Sequence, residues 1–93
     1  MNYTVKDRFL KYVQVDTEAD PLSETYPSSA KQKDLTKIIC QELDDLKIEY
    51  KTNDAGYIYA YIPSNIDRNA PKVFFCAHLD TAPDCSGKNV RPI

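Results

Sequence analysis

Lys72-Val73-Phe74-Phe75-Cys76-Ala77-His78-Leu79-Asp80-Thr81 is an apolar run that ends on an imidazole and a carboxylate two positions apart. A short, continuous apolar segment of this kind reads as a strand buried on both faces, which belongs inside an α/β sheet with further layers over it. Side chains alternate between faces along an extended strand, so His78 and Asp80 project to the same side. Ligands of α/β sheets gather beyond the carboxyl ends of the strands, where this pair falls.

The residues before this run supply the rest of an α/β pattern. Thr4 and Asp7 form a capping-box variant, and Val5, Phe9, Tyr12 and Val13 recur at helical spacing, which predicts a short amphipathic helix near residues 4–14. Asp16 to Pro27 is rich in acids, serine and proline and reads as an irregular, solvated loop. Ser29 with Gln32 forms a stronger capping box, and Leu35, Ile38, Ile39, Leu43 and Leu46 share one face of a second helix, with Lys33, Lys37, Gln41, Asp44 and Asp45 opposite. Ile48 to Lys51 and Tyr57 to Ile62, joined across Asn53-Asp54-Ala55-Gly56, predict a β-hairpin. Pro63 ends the second strand, and a polar connection leads to the third at residues 72–77. Two helices, a hairpin and a buried strand match the opening of an α/β domain whose sheet is completed later.

With 93 residues the chain makes one small domain at most. A net charge of -2 gives no electrostatic footprint for nucleic acid or an anionic membrane surface. Charged residues precede any long apolar run, and no segment approaches the roughly 18 apolar residues of a membrane span, so neither signal peptide nor transmembrane helix is expected. Cys40, Cys76 and Cys85 form no CxxC pair and are odd in number, which fits reduced thiols and a cytoplasmic protein.

His78 supports two readings side by side: a metal ligand, and a histidine that merely satisfies its hydrogen bonds at a strand terminus. Asp80 either orients an imidazole, as carboxylates do around zinc, or caps the turn through Thr81-Ala82-Pro83. A catalytic zinc needs about three protein ligands and a water. The other nearby groups are Asp84, Cys76 and Cys85, and the chain has no second histidine, so a complete site is not expected from these residues alone. Cys76 reads better as a small buried hydrophobe than as a ligand. Glu42 and Glu49 fall on elements expected at the surface, away from the strand end. Ser86-Gly87-Lys88 lacks the earlier glycine and the following Ser or Thr of a phosphate loop, which rules out that motif. Tyr57, Tyr59 and Tyr61 line one strand face, open to stacking on a ligand but more simply an aromatic sheet face, packed or partly wet.

Pro27-Ser28-Ser29 with Gln32, Gly56-Tyr57, and above all His78-Leu79-Asp80-Thr81-Ala82-Pro83-Asp84-Cys85-Ser86-Gly87-Lys88-Asn89-Val90 resemble the peptidase T family. That family is the cytosolic aminotripeptidase branch of the di-zinc peptidases, which also include aminoacylases and certain carboxypeptidases. The resemblance spans nearly the whole chain. The His-x-Asp-Thr core is common to the wider superfamily, whereas the Pro-Asp-x-Ser-Gly-x-Asn-Val tail is particular to peptidase T.

The resemblance implies a three-layer α/β/α zinc-peptidase domain of which residues 1–93 are the incomplete N-terminal portion. It also implies two zinc ions per complete site, a tripeptide substrate that loses its N-terminal residue, and room for a homodimer in the full-length enzyme. Carried over by position, His78 matches a ligand of one zinc and Asp80 matches an aspartate with a catalytic, orienting role. The family's bridging aspartate, general-base glutamate and second histidine are expected beyond Ile93, so the chain by itself is expected to be inactive. In the complete enzyme the zinc ions would lower the pKa of a shared water toward about 7, with the glutamate as base. The competing expectation is a stand-alone α/β binding or interaction domain without catalysis.

Overall fold

The structure, a computed structural model, describes residues 4–93. Its elements run α1 (Val5–Tyr12), α2 (Gln32–Asp45), β1 (Glu49–Thr52) and β2 (Ile58–Tyr61). Among the described residues no helix is long and apolar enough to cross a membrane.

Helix α1 begins on a complete capping box. Thr4 Oγ1 accepts the Asp7 N–H at 3.1 Å, and the Asp7 carboxylate accepts the Thr4 N–H at 2.9 Å, so two otherwise orphaned donors are satisfied reciprocally. Ser29 does not cap α2, contrary to its spacing from Gln32. Its hydroxyl donates instead to the Glu18 carbonyl at 2.7 Å, and the helix is entered through a turn in which Gln32, Lys33 and Asp34 bond back three residues. The turn through Ala30 and Lys31 moves the helix start past Ser29, which leaves its hydroxyl to a tertiary acceptor.

The C-terminus of α2 is a Schellman motif. Lys47 takes φ of 56°, its N–H bonds to the Asp44 carbonyl at 3.0 Å, and the Ile48 N–H bonds to the Leu43 carbonyl at 2.9 Å. This reversal feeds straight into β1. Strands β1 and β2 are antiparallel with Glu49 opposite Tyr61, Tyr50 opposite Ala60, Lys51 opposite Tyr59 and Thr52 opposite Ile58. Glu49, Lys51, Tyr59 and Tyr61 therefore share the outer face, and both tyrosines are exposed. Gly56, with φ of 83°, closes the hairpin turn against α2, where the Thr36 hydroxyl donates to its carbonyl at 3.1 Å.

Leu35 is the one buried apolar side chain among the described residues, while Leu46, expected on the same inward face, is exposed. The third strand expected at residues 72–77 does not form, and Val73, Phe74 and Phe75 are 75%, 84% and 90% exposed. A strand persists by ladder hydrogen bonds along its edges and burial of its faces, and among the described residues no backbone hydrogen bond ties 72–80 to another segment. Each large apolar side chain left in water forgoes about 1.5–3 kcal/mol of burial. Cys76, expected to be buried, is exposed for the same reason. The described architecture is thus two helices and a two-stranded sheet, compatible with a segment of an α/β protein.

Candidate active site

His78 and Asp80 meet. The ring Nδ1 lies 2.7 Å from Asp80 Oδ1, with the imidazole 82% and the carboxyl 40% exposed. The alternation expected of extended chain brings both side chains to one side even without a sheet around them. The hydrogen bond that the ring donates to Asp80, with the negative charge of that carboxylate, raises the His78 pKa above the ordinary histidine value. When the neutral ring carries its proton on Nδ1 for Asp80, Nε2 is left as a lone-pair donor facing solvent.

Thr81, the next residue, fixes where this pair sits. Its N–H donates to the Thr17 carbonyl at 3.1 Å and its carbonyl accepts the Ala19 N–H at 2.9 Å, forming a parallel bridge with Glu18. Thr17 is 2% exposed beneath it. The acidic loop read from composition as solvated is therefore ordered by Asp16. One carboxylate oxygen of Asp16 accepts the Glu18 N–H at 3.2 Å, and the other accepts Lys31 Nζ at 3.1 Å. The backbone hydrogen bond from Glu18, with the hydrogen bond and charge of Lys31 and the charge of Lys88, holds the Asp16 carboxyl below its ordinary range against a smaller cost of burial.

Gly87 completes the support. A Cβ at this position would lie 2.8 Å from Asp16 Oδ1 and 3.4 Å from Thr81 Oγ1, so the glycine lets the loop after the motif close onto the loop before α2. Within the Ser-Gly-Lys triplet it is Gly87 that has this packing role. An open cavity of about 360 Å³ adjoins the support, lined in part by Asp20, Lys31, Pro83 and Lys88; His78 and Asp80 are not in its wall.

The Thr17 carbonyl and Ala19 N–H that hold Thr81, and the Asp16 carboxylate that holds Lys31, carry no mark in the sequence, because their pairing is set by tertiary approach rather than spacing. Glu42 departs from the surface position expected of it. It lies seven residues after Leu35, on the inward face of α2, and is buried at 6% exposure. It accepts hydrogen bonds from Lys11 Nζ at 3.0 Å and from the Tyr12 hydroxyl, with Arg8 Nε 3.6 Å away. Burial would push its carboxyl up, but the hydrogen bonds from Tyr12 and Lys11 and the charges of Lys11 and Arg8 outweigh that and hold it low. This cluster ties α1 to α2 and lies on other elements than the His78 pair.

Among the described residues no three ligating side chains gather closely enough to hold a metal ion. His78 offers one donor, and a zinc ion needs about three from protein. The residues present do not fit a complete zinc centre.

No family model matches the chain. It is similar to the peptidase T of Clostridium perfringens, at 47% identity over 89 residues, 95% of this chain and 22% of the relative. It is likewise similar to peptidase T of a Geobacillus species, at 46% identity over 93 residues, 99% of this chain and 23% of the relative. Peptidase T of Staphylococcus carnosus is 43% identical over 86 residues, 92% of this chain and 21% of the relative. The chain thus spans between a fifth and a quarter of the length of these curated relatives.

Proposed function

We propose, from the premise that nearly the whole chain is homologous to peptidase T and consistent with its N-terminal segment, that these residues form the first part of a peptidase catalytic domain. The observation that carries this reading is identity of 47% sustained over 95% of the chain. The uncovered run Val73-Phe74-Phe75 supports it, because such a segment reaches its free-energy minimum only when further strands and helices cover it.

The finer reading is a zinc-dependent aminotripeptidase that releases the N-terminal residue from tripeptides. His78 supplies one ligand through Nε2, and Asp80 holds the ring by Nδ1. The remaining ligands and the general base come from residues outside this chain. The isolated 93 residues then hydrolyse nothing. A homodimer and a cytoplasmic location belong to the same proposal.

Mass-spectrometric detection of the residue released from a tripeptide tests this reading. The natural polypeptide that carries this segment, supplied with zinc, releases the first residue and leaves a dipeptide, while the 93-residue chain gives the blank rate. Turnover by the short chain, or none by the natural polypeptide, contradicts it.

A further inference from the structure

We propose that Asp16 is a positioning residue for the His78–Asp80 pair, acting through the two-bond backbone clamp on Thr81. The inference rests on the peptidase reading for what the pair is used for, but not for its geometry. Between residues 72 and 80 no backbone hydrogen bond to another segment is present among the described residues, so Thr81 is the first fixed point next to the motif. Both bonds at that point come from one loop, through the Thr17 carbonyl and the Ala19 N–H.

The Asp16 carboxylate makes two of the contacts that shape that loop. Asp16 Oδ1 turns the chain by accepting the Glu18 N–H, which sets the Thr17 carbonyl and Ala19 N–H facing Thr81. Asp16 Oδ2 binds Lys31 Nζ and so references the loop to the start of α2. The Ser29 hydroxyl adds a second anchor on the Glu18 carbonyl. A Cβ at Gly87 would stand 2.8 Å from the same Asp16 oxygen, so only glycine leaves that oxygen its place. The carboxylate thus couples the helix start, the acidic loop and the segment that follows the motif. Its consequence is one backbone setting at Thr81, from which the Asp80 carboxyl reaches His78 Nδ1.

The test uses the metal-free chain labelled with ¹⁵N, in alkaline buffer where the imidazole is neutral. Ring-nitrogen spectra report which nitrogen of His78 holds the proton, and hydrogen exchange reports the Thr81 and Ala19 amides. The wild type holds the proton on Nδ1. Asp16→Ala exchanges both amides at least about tenfold faster and shifts His78 toward the Nε2–H form preferred by a free side chain, while the helical circular dichroism is retained. Asp16→Asn keeps an oxygen for the Glu18 N–H and retains the Nδ1–H form. Gly87→Ala, which displaces the Asp16 oxygen without removing it, shifts the tautomer as Asp16→Ala does and decides the matter if Asp16→Ala unfolds. A wild-type tautomer in both Asp16→Ala and Gly87→Ala overturns the proposal, as does a loss in Asp16→Asn equal to that in Asp16→Ala. Absence of tripeptide cleavage by the natural polypeptide would sink the peptidase reading and leave these signals unchanged.

Discussion

The Tyr12 hydroxyl donates to the buried carboxylate of Glu42, joining the last turn of α1 to the inward face of α2. With so little apolar burial in the described residues, this polar contact is a principal restraint on where α1 lies. Its neighbours Lys11 and Arg8 complete the compensation that a buried carboxylate requires.

Replacing Glu42 by Ala therefore destabilises the chain by about 2 kcal/mol, the scale of hydrogen bonds made to a charged group. Urea unfolding followed by circular dichroism checks this. Tyr12→Phe costs less, because Lys11 still satisfies Glu42.

The same pair sets two pH limits. Glu42 has a depressed pKa in the folded chain, so its contribution is present above the ordinary glutamate value, about 4.3, and is lost as pH falls through the lower folded value. Tyr12 is raised from 10.0 to about 12 by burial and by its hydrogen bond to Glu42, so its contribution is present below pH 10.0 and is lost as pH rises through that interval. Urea midpoints measured across both windows fall at each end, and Glu42→Gln flattens the acid limb. An ultraviolet titration of the phenols shows Tyr12 ionising late, and Tyr12→Phe removes that late step.

Lys47→Gly stabilises the chain by about 1 kcal/mol. A side chain in the left-handed region pays a steric cost that glycine does not, and the Schellman bonds to Asp44 and Leu43 use only backbone. A higher midpoint in urea is the expected reading.

Gly56→Ala has the opposite sign. The backbone stands at φ of 83°, and a Cβ would come within 3.2 Å of the Thr36 hydroxyl, so strain and a disturbed buried hydrogen bond combine to cost about 2 kcal/mol. Thermal denaturation of Gly56→Ala beside Thr36→Val separates the two effects.

Local signals in the sequence hold where the structure satisfies them locally. Thr4 and Asp7 cap α1 as spaced, the Asn53 to Gly56 turn makes the hairpin, and His78 meets Asp80 because alternation needs no sheet to operate. Ser29 does not cap because the turn before Gln32 moves the helix start past it, and Glu42, expected at the surface, is buried because Lys11 and the Tyr12 hydroxyl meet its carboxylate there. The run at 72–77 has strand composition, but strand pairing is a property of partners, and among the described residues none pairs with it. The Asp16–Lys31 pair carries no local signature, because a separation of fifteen positions through an irregular loop has no period that relates the two.

The most direct test of the account is the tripeptidase rate of the natural polypeptide after removal of metal by chelation and readdition of zinc, compared with that of its His78→Ala variant. A rate restored by zinc in the wild type and lowered by about a thousandfold or more in the variant is predicted, since one lost ligand disables a site built on about three. Equal rates in the two proteins, or cleavage indifferent to zinc, would contradict the claim that His78 brings a metal to a peptidase site.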